Sequence, residues 1–210
     1  MKQAYDFFFL AYTETSALMI GLEFIASIFG VVSVYFAKKA HIFVYPTGIV
    51  CTVITVYLLY KSKFFGDMMM NIYYSAMSIY GWWKWVQPKD GAEEMPITNA
   101  QPKEKGLGLL LVILTMLITY GVYNWFGYEL QIPNYIDIFT SGLFFTAMWF
   151  MAHKKIEHWL LWIVADIITI PLYAYRGLGM LSLQYIIFTI LAIQGYKSWK
   201  TYLNNNLQNV

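Results

Sequence analysis

Apolar residues in this chain come in runs about one bilayer thick, broken by short polar stretches. A spanning helix needs roughly 20 predominantly apolar residues, and seven runs approach that length: Ala17–Ala37, Ile42–Tyr60, Gly66–Val86, Leu107–Phe126, Tyr135–Ala152, Trp159–Tyr175 and Met180–Trp199. The pattern predicts an all-α, polytopic membrane protein with seven transmembrane helices. The fifth and sixth runs carry the acids Asp137 and Asp166, and the sixth also holds Pro171.

Composition supports a membrane solvent: 59% of the 210 residues are hydrophobic, 20% aromatic and only 12% charged. A net charge of +2 without a basic stripe argues for no nucleic-acid partner. The one cysteine, Cys51, excludes a disulfide within the chain and reads as a small buried hydrophobe. The N-terminus lacks the basic region, short apolar run and cleavage site of a removable signal peptide, so the first span is expected to stay.

Lysines and the arginine set the expected orientation. Lys38, Lys39, Lys84, Lys89, Lys103, Lys105, Lys154, Lys155, Lys197 and Lys200 fall on one side; only Lys2, Lys61, Lys63 and Arg176 fall on the other. The richer side is expected to be cytoplasmic, with the N-terminus outside and the C-terminus inside a bacterial cytoplasmic (inner) membrane. The one long polar segment, Gln87–Gly106, holds mixed charges between prolines and reads as a flexible cytoplasmic connector. It divides the chain into a first three-helix bundle (17–86), the connector (87–106), a linker helix (107–126) and a second three-helix bundle (135–199).

The two bundles look like copies. Lys38-Lys39 follows the first span and Lys154-Lys155 the fifth, while Ile79-x-Gly81-x-x-x-Trp85 closes the third and Ile193-x-Gly195-x-x-x-Trp199 closes the seventh. A lone fourth helix lets the second bundle re-enter parallel to the first. Parallel repeats are a transporter architecture, with solute bound between them near the midplane.

The candidate chemistry lies on the sixth run. Asp166 stands one helical turn past Trp162 and two past Trp159, so a carboxylate and two indoles share a face. A charge at that depth costs roughly 2.5–3.5 kcal/mol on insertion scales and marks a functional site by default. An indole face contributes about 0.5–2 kcal/mol to a cation laid over it. Asn71, Tyr74, Tyr173, Gln184 and Gln194 are the other polar-tipped side chains deep enough to meet hydroxyl groups of a solute. Trp82, Trp83, Trp85 and Trp199 read instead as interfacial anchors, Glu23 and Asp137 as structural acids near helix ends, and Pro46 and Pro171 as kinks or hinges.

Enzymatic motifs are sparse. His41, His153 and His158 lie by the basic loops and form no His-Glu-x-x-His pair, and neither a Gly-x-Ser-x-Gly elbow nor a phosphate loop occurs. An intramembrane aspartyl dyad of Asp137 and Asp166 is the one catalytic alternative. No metal or cofactor is expected. Two acids leave proton relay open, with passive alternating access the simpler reading.

Ile79-Tyr80-Gly81-Trp82-Trp83, Glu157-His158-Trp159-Leu160-Leu161-Trp162, and Gly177-Leu178 leading to Gln184 resemble the PnuC family of vitamin-precursor transporters over about Glu23 to Lys200, outside the connector. The resemblance implies a three-plus-one-plus-three helix arrangement similar to SWEET sugar transporters. It also implies uptake of nicotinamide riboside by facilitated diffusion, a cytosolic kinase that traps the entered nucleoside, and a homotrimer. Relatives carry thiamine or riboflavin. Trp159 and Trp162 match the family's paired indoles, and Asn71 falls near a family glutamine. Asp166 stands where the family is expected to carry an amide, which opens the choice among cationic solutes.

Overall fold

A computed structural model describes residues 16–61, 65–87, 95–125, 127, 129–175 and 179–208. Lys2, Lys63, Lys89, Phe126, Arg176, Gly177 and Leu178, named above, lie outside them. Seven long helices follow in order: α1 (Ala17–Lys38), α2 (Val44–Lys61), α3 (Phe65–Trp85), α4 (Pro102–Trp125), α5 (Ile132–Ala152), α6 (Glu157–Tyr175) and α7 (Gly179–Gln208).

Local chemistry explains several helix starts. Ser16 caps α1 by accepting from the Met19 amide at 3.4 Å, and Pro102 opens α4 while Glu104 reaches back to the Gln101 amide at 2.7 Å. Pro46 falls in the first turn of α2, where a missing amide costs the helix nothing. It is therefore a helix starter rather than a kink, whereas Pro171 does lie inside α6.

Six of these helices are long and apolar enough to cross a membrane. The exception, α3, matches them in length but places Asn71, Ser75 and Ser78 among its apolar residues. On α4 the large residues Leu109, Leu110, Ile113, Leu114, Leu117 and Ile118 are all exposed. A face that apolar suits lipid rather than water.

Contacts between helices close into a ring: α1 packs on α2, α2 on α3, α3 on α5, α5 on α6, α6 on α7, and α7 back on α1. Only α4 stands outside, against α5. Small residues allow that approach, since a Cβ on Gly108 would lie 2.7 Å from the Phe150 ring and one on Gly142 would lie 2.9 Å from the Val112 carbonyl oxygen.

The ring repeats itself in detail. Trp85 ends α3 and donates its indole N–H to the Met151 carbonyl at 3.2 Å, on the last turn of α5. Trp199 in α7 does the same to Ala37 at 3.1 Å, on the last turn of α1. Tyr45 meets Trp85 edge-on at 5.0 Å, and Trp159 meets Trp199 edge-on at 5.8 Å. A Cβ on Gly81 would lie 2.5 Å from the Tyr45 ring, and one on Gly195 2.6 Å from the Trp159 ring. One constant sequence offset, that of Tyr45 to Trp159, relates every pair.

The lysine pairs do not obey that offset. Both α1–α2 and α5–α6 turns carry a left-handed residue, Ala40 (φ 52°) and Lys154 (φ 48°), followed by matching bonds from His41 N to Phe36 O and Lys155 N to Phe150 O, each 3.0 Å. Ala40 is thus the counterpart of Lys154, and the two Lys-Lys motifs are displaced by two positions. Lys154 is 3% exposed with its ammonium 4.4 Å above the Trp85 ring, a cation–π contact that Ala40 cannot make.

The connector also differs from expectation. Residues 95–101 form an ordered strap: Met95, Ile97 and Ala100 are buried, the Thr98 amide donates to Lys154 O at 3.1 Å, and the Ile156 amide donates to Thr98 O at 3.1 Å. Glu157 accepts the Ala100 amide at 2.8 Å, and Lys155 pairs with Glu104 at 2.9 Å. The alternation of Met95 and Ile97 inward is the two-residue period of an extended segment, and helix α4 starts at Pro102 rather than near Leu107.

Two outcomes follow. Gly81→Ala and Gly195→Ala should each lower stability in detergent by about 1–3 kcal/mol through overpacking, read as a lower thermal midpoint; unchanged midpoints would contradict the ring contacts. Thr98→Pro, which removes the amide bonded to Lys154, should open the strap to limited proteolysis while wild-type protein resists cleavage there.

Candidate functional site

Asp166 is the middle residue of α6 and is 2% exposed. Its Oδ1 has no hydrogen-bond partner among the described residues. Other polar groups nearby are satisfied locally: Thr169 Oγ1 donates to Ala165 O at 2.8 Å, and Thr189 Oγ1 to Tyr185 O at 2.8 Å. The repeat sharpens the contrast, because Thr52 is the counterpart of Asp166 by the Tyr45–Trp159 offset. Thr52 Oγ1 meets Ser75 Oγ at 2.7 Å, so the first half closes its midplane polar pair and the second leaves a carboxyl open.

Around this level the ring is lined with aromatics from several helices. Trp162 lies 5.2 Å from Phe144 of α5 and 6.5 Å from Tyr74 of α3. Tyr185 of α7 lies 6.1 Å from Phe144 and stacks on Tyr173 at 5.3 Å. On the α1 side, Ser27 Oγ donates to Gln184 Oε1 at 3.2 Å. A Cβ on Gly30 would lie 3.3 Å from Cys51 Sγ and 3.7 Å from Gln184 Nε2, so Gly30 keeps α1, α2 and α7 close. The half-buried Cys51 packs there.

The structure therefore brings Trp162, Tyr74, Tyr173 and Gln184 into one aromatic and polar belt. Asp166 stands one turn beyond Trp162 on α6. Asn71 lies on α3, half-buried, one turn before Ser75, whose hydroxyl donates to its carbonyl at 3.0 Å. Two expected site residues fall elsewhere. Trp159, 2% exposed, packs between His158, Trp199 and the Gly195 backbone at the lysine-rich end of the ring. Gln194 is exposed and accepts from Lys38 Nζ at 2.8 Å. Both sit where the helices are pinned to one another rather than at mid-depth.

Phe144, Tyr185 and Ser27 belong to the belt but not to the expected set. Nothing in their local sequence separates them from lipid-facing or packing residues. Only the pairing of α5 with α6 and α1 with α7 puts them there.

Asp137 does not join Asp166. Its carboxylate accepts from the Tyr123 hydroxyl at 3.0 Å. Counted from the α5–α6 turn at 1.5 Å per residue, the two acids stand about 9 Å apart along the helix axes. At the lysine-rich end a cleft of about 310 Å³ lies between the strap, Lys84, His153 and Lys155. Burial pushes the His153 imidazole below its ordinary value, Lys84 and Lys155 adding to the effect. Among the described residues no group of His, Cys, Asp or Glu could hold a metal.

The ring of six helices, five of them long and apolar enough to cross a membrane, carries this polar and aromatic belt. The family model described as "Nicotinamide mononucleotide transporter" matches residues 20–201, and the chain belongs to that family. It is 22% identical over 201 residues to the nicotinamide riboside transporter PnuC of Escherichia coli (strain K12), covering 85% of this chain and 84% of the relative. Against the transporter of the same name from Neisseria mucosa it is 27% identical over 189 residues, 85% and 71% of the two chains. The riboflavin/roseoflavin transporter RibM of Streptomyces davaonensis is 22% identical over 129 residues, 59% of each. The crystal structure of the vitamin B3 transporter PnuC shares the fold, with a TM-score of 0.70 at 23% identity over 88% of this chain and 82% of that one. Family and fold are those of transporters, not enzymes, which removes the aspartyl dyad.

The two glutamines should separate belt from rim. Gln184→Ala removes a side chain that bonds within the belt and should weaken solute binding by roughly 3–10-fold, about one hydrogen bond. Gln194→Ala should leave binding unchanged. Calorimetry on both purified variants checks this, and equal effects would contradict the placement.

Proposed function

We propose that this protein carries nicotinamide riboside across a bacterial cytoplasmic membrane by alternating access. The single observation behind this reading is the open carboxyl of Asp166 beside the Trp162 belt, in a family whose curated relatives include nicotinamide riboside transporters. The pyridinium ring of that nucleoside is flat and positive, so it suits an indole face on one side and a carboxylate on the other. Its ribose hydroxyls would otherwise cost about 1–3 kcal/mol each when stripped of water, and Asn71, Tyr74, Tyr173 and Gln184 offer partners. We assign the two helix triplets α1–α3 and α5–α7 as parallel repeats that rock about the belt, with α4 as linker.

Movement down the solute's own gradient, facilitated diffusion, accounts for the absence of an ATP-binding phosphate loop. Net uptake then comes from a cytosolic kinase that turns the nucleoside into an anion the site does not hold. The lysine-rich end, where Lys38, Lys84, Lys105 and Lys155 gather, faces the cytoplasm in this reading. Three copies assemble, each with its own path. Thiamine is the second candidate, since its ring is also a flat cation and one acid pairs equally with either. Riboflavin, which is neutral, gains nothing from Asp166.

Trp162→Ala and Asp166→Ala should each abolish uptake by proteoliposomes while leaving expression and thermal unfolding close to wild type. Calorimetry of the solubilised protein against nicotinamide riboside, thiamine and riboflavin selects the solute. Wild-type uptake by properly inserted variants, or binding of riboflavin alone, would sink the assignment.

A further inference from the structure

An unpartnered carboxylate at the middle of a spanning helix poses a problem in both halves of a transport cycle. With a cationic solute bound, Asp166 and the ring neutralise each other. Without it, the ring must reorient around a bare charge, which is costly at that depth even on the mildest scale.

Among the described residues the surroundings supply no substitute cation. The helices packed against α6 are α5 and α7, and Tyr74 of α3 and Val112 of α4 also touch the adjoining cluster. At the level of Asp166, α5 packs Leu143 and Phe144 in one cluster with Ala165, and neither is titratable. Its acid Asp137 lies about 9 Å further along and is bonded to Tyr123. From α7 the titratable group at that level is Tyr185, from α3 it is Tyr74, and on α6 itself it is Tyr173. None of these can carry a positive charge. Lys197 and Lys200 of α7, Lys103 and Lys105 of α4, and His158 of α6 all lie toward the lysine-rich end.

We infer that the empty carrier returns with a proton on Asp166, so that each cycle exchanges one organic cation for one proton and moves no net charge. The acid takes a proton on one side, crosses empty and neutral, gives the proton up on the far side when the cation arrives there, and crosses back neutral with the cation bound. Charge and atoms balance without any further partner. This rests on the carrier reading and replaces its uncoupled diffusion with exchange: at equal pH the solute gradient still sets net flux, an acidic interior adds to uptake, and an alkaline interior opposes it.

The test uses proteoliposomes of the full-length wild-type protein and radiolabelled nicotinamide riboside. With an interior one pH unit more acidic than the bath, transient accumulation should approach about tenfold. An inside-negative potential of about 100 mV at equal pH should give no accumulation, whereas movement of net charge would give roughly 50-fold. Asp166→Asn should lose the response to pH, and any residual uptake in that variant should follow the potential. Should the variant fail to fold, calorimetry of wild-type protein in buffers of different ionisation enthalpy gives the same answer: about one proton should leave per cation bound below neutral pH. Uptake driven by the potential and indifferent to pH, or binding without proton release, would overturn the exchange and leave the carrier intact. No uptake under any gradient would overturn the carrier reading itself.

Discussion

A carboxyl held in the middle of an apolar ring, without a hydrogen-bond partner among the described residues, is the constraint on which this structure turns. In a bilayer every buried polar group must be satisfied within the protein or by what the protein binds. The ring meets that requirement almost everywhere else at mid-depth: Thr52 with Ser75, Ser27 with Gln184, Thr169 and Thr189 with their own helices. Asp166 Oδ1 lacks a partner there, as Tyr45 OH, His158 Nε2 and Trp159 Nε1 do at the lysine-rich end, and its repeat counterpart Thr52 shows the position closed by a hydroxyl pair. The asymmetry between two otherwise matching halves leaves one carboxyl oxygen unpaired in the second half where the first closes a hydroxyl pair.

Rigidity at the lysine-rich end complements this openness. Trp85 and Trp199 each tie the end of one triplet to the carbonyls of a helix in the other, and Tyr45 and Trp159 lie flush against glycine backbones. The ordered strap, bonded to Lys154, Ile156 and Glu157, adds a third tie on the second triplet alone. The belt therefore draws on helices from both halves of the ring, which these contacts tie together at one end.

Much of the helical layout was legible because bilayer thickness imposes a length that any apolar run either meets or misses. Even α3, too polar to qualify by hydropathy, was recognisable from its neighbours and its length. The strap was not, because a single extended segment buried on one side has too few residues to display a period, and its prolines and charges read as a flexible linker. The lysine pairs suggested a register for the repeat that backbone geometry shifts by two residues. Side chains on a loop can slide along it, whereas left-handed turns and glycine–aromatic contacts cannot. Helical spacing puts Trp159, Trp162 and Asp166 on one face but could not tell that Trp159, one turn earlier, lies in the clamp. Phe144, Tyr185 and Ser27 were invisible for a different reason, since only tertiary pairing brings them to the belt.

Difference infrared spectroscopy would test the central claim most directly, by following the carbonyl stretch of a protonated carboxylic acid as nicotinamide riboside is added to the empty protein. The account predicts a band in the empty state that vanishes on binding and is absent from Asp166→Asn. A spectrum in which binding leaves that band unchanged, or in which the asparagine variant retains it, would contradict the meeting of this carboxyl with the solute.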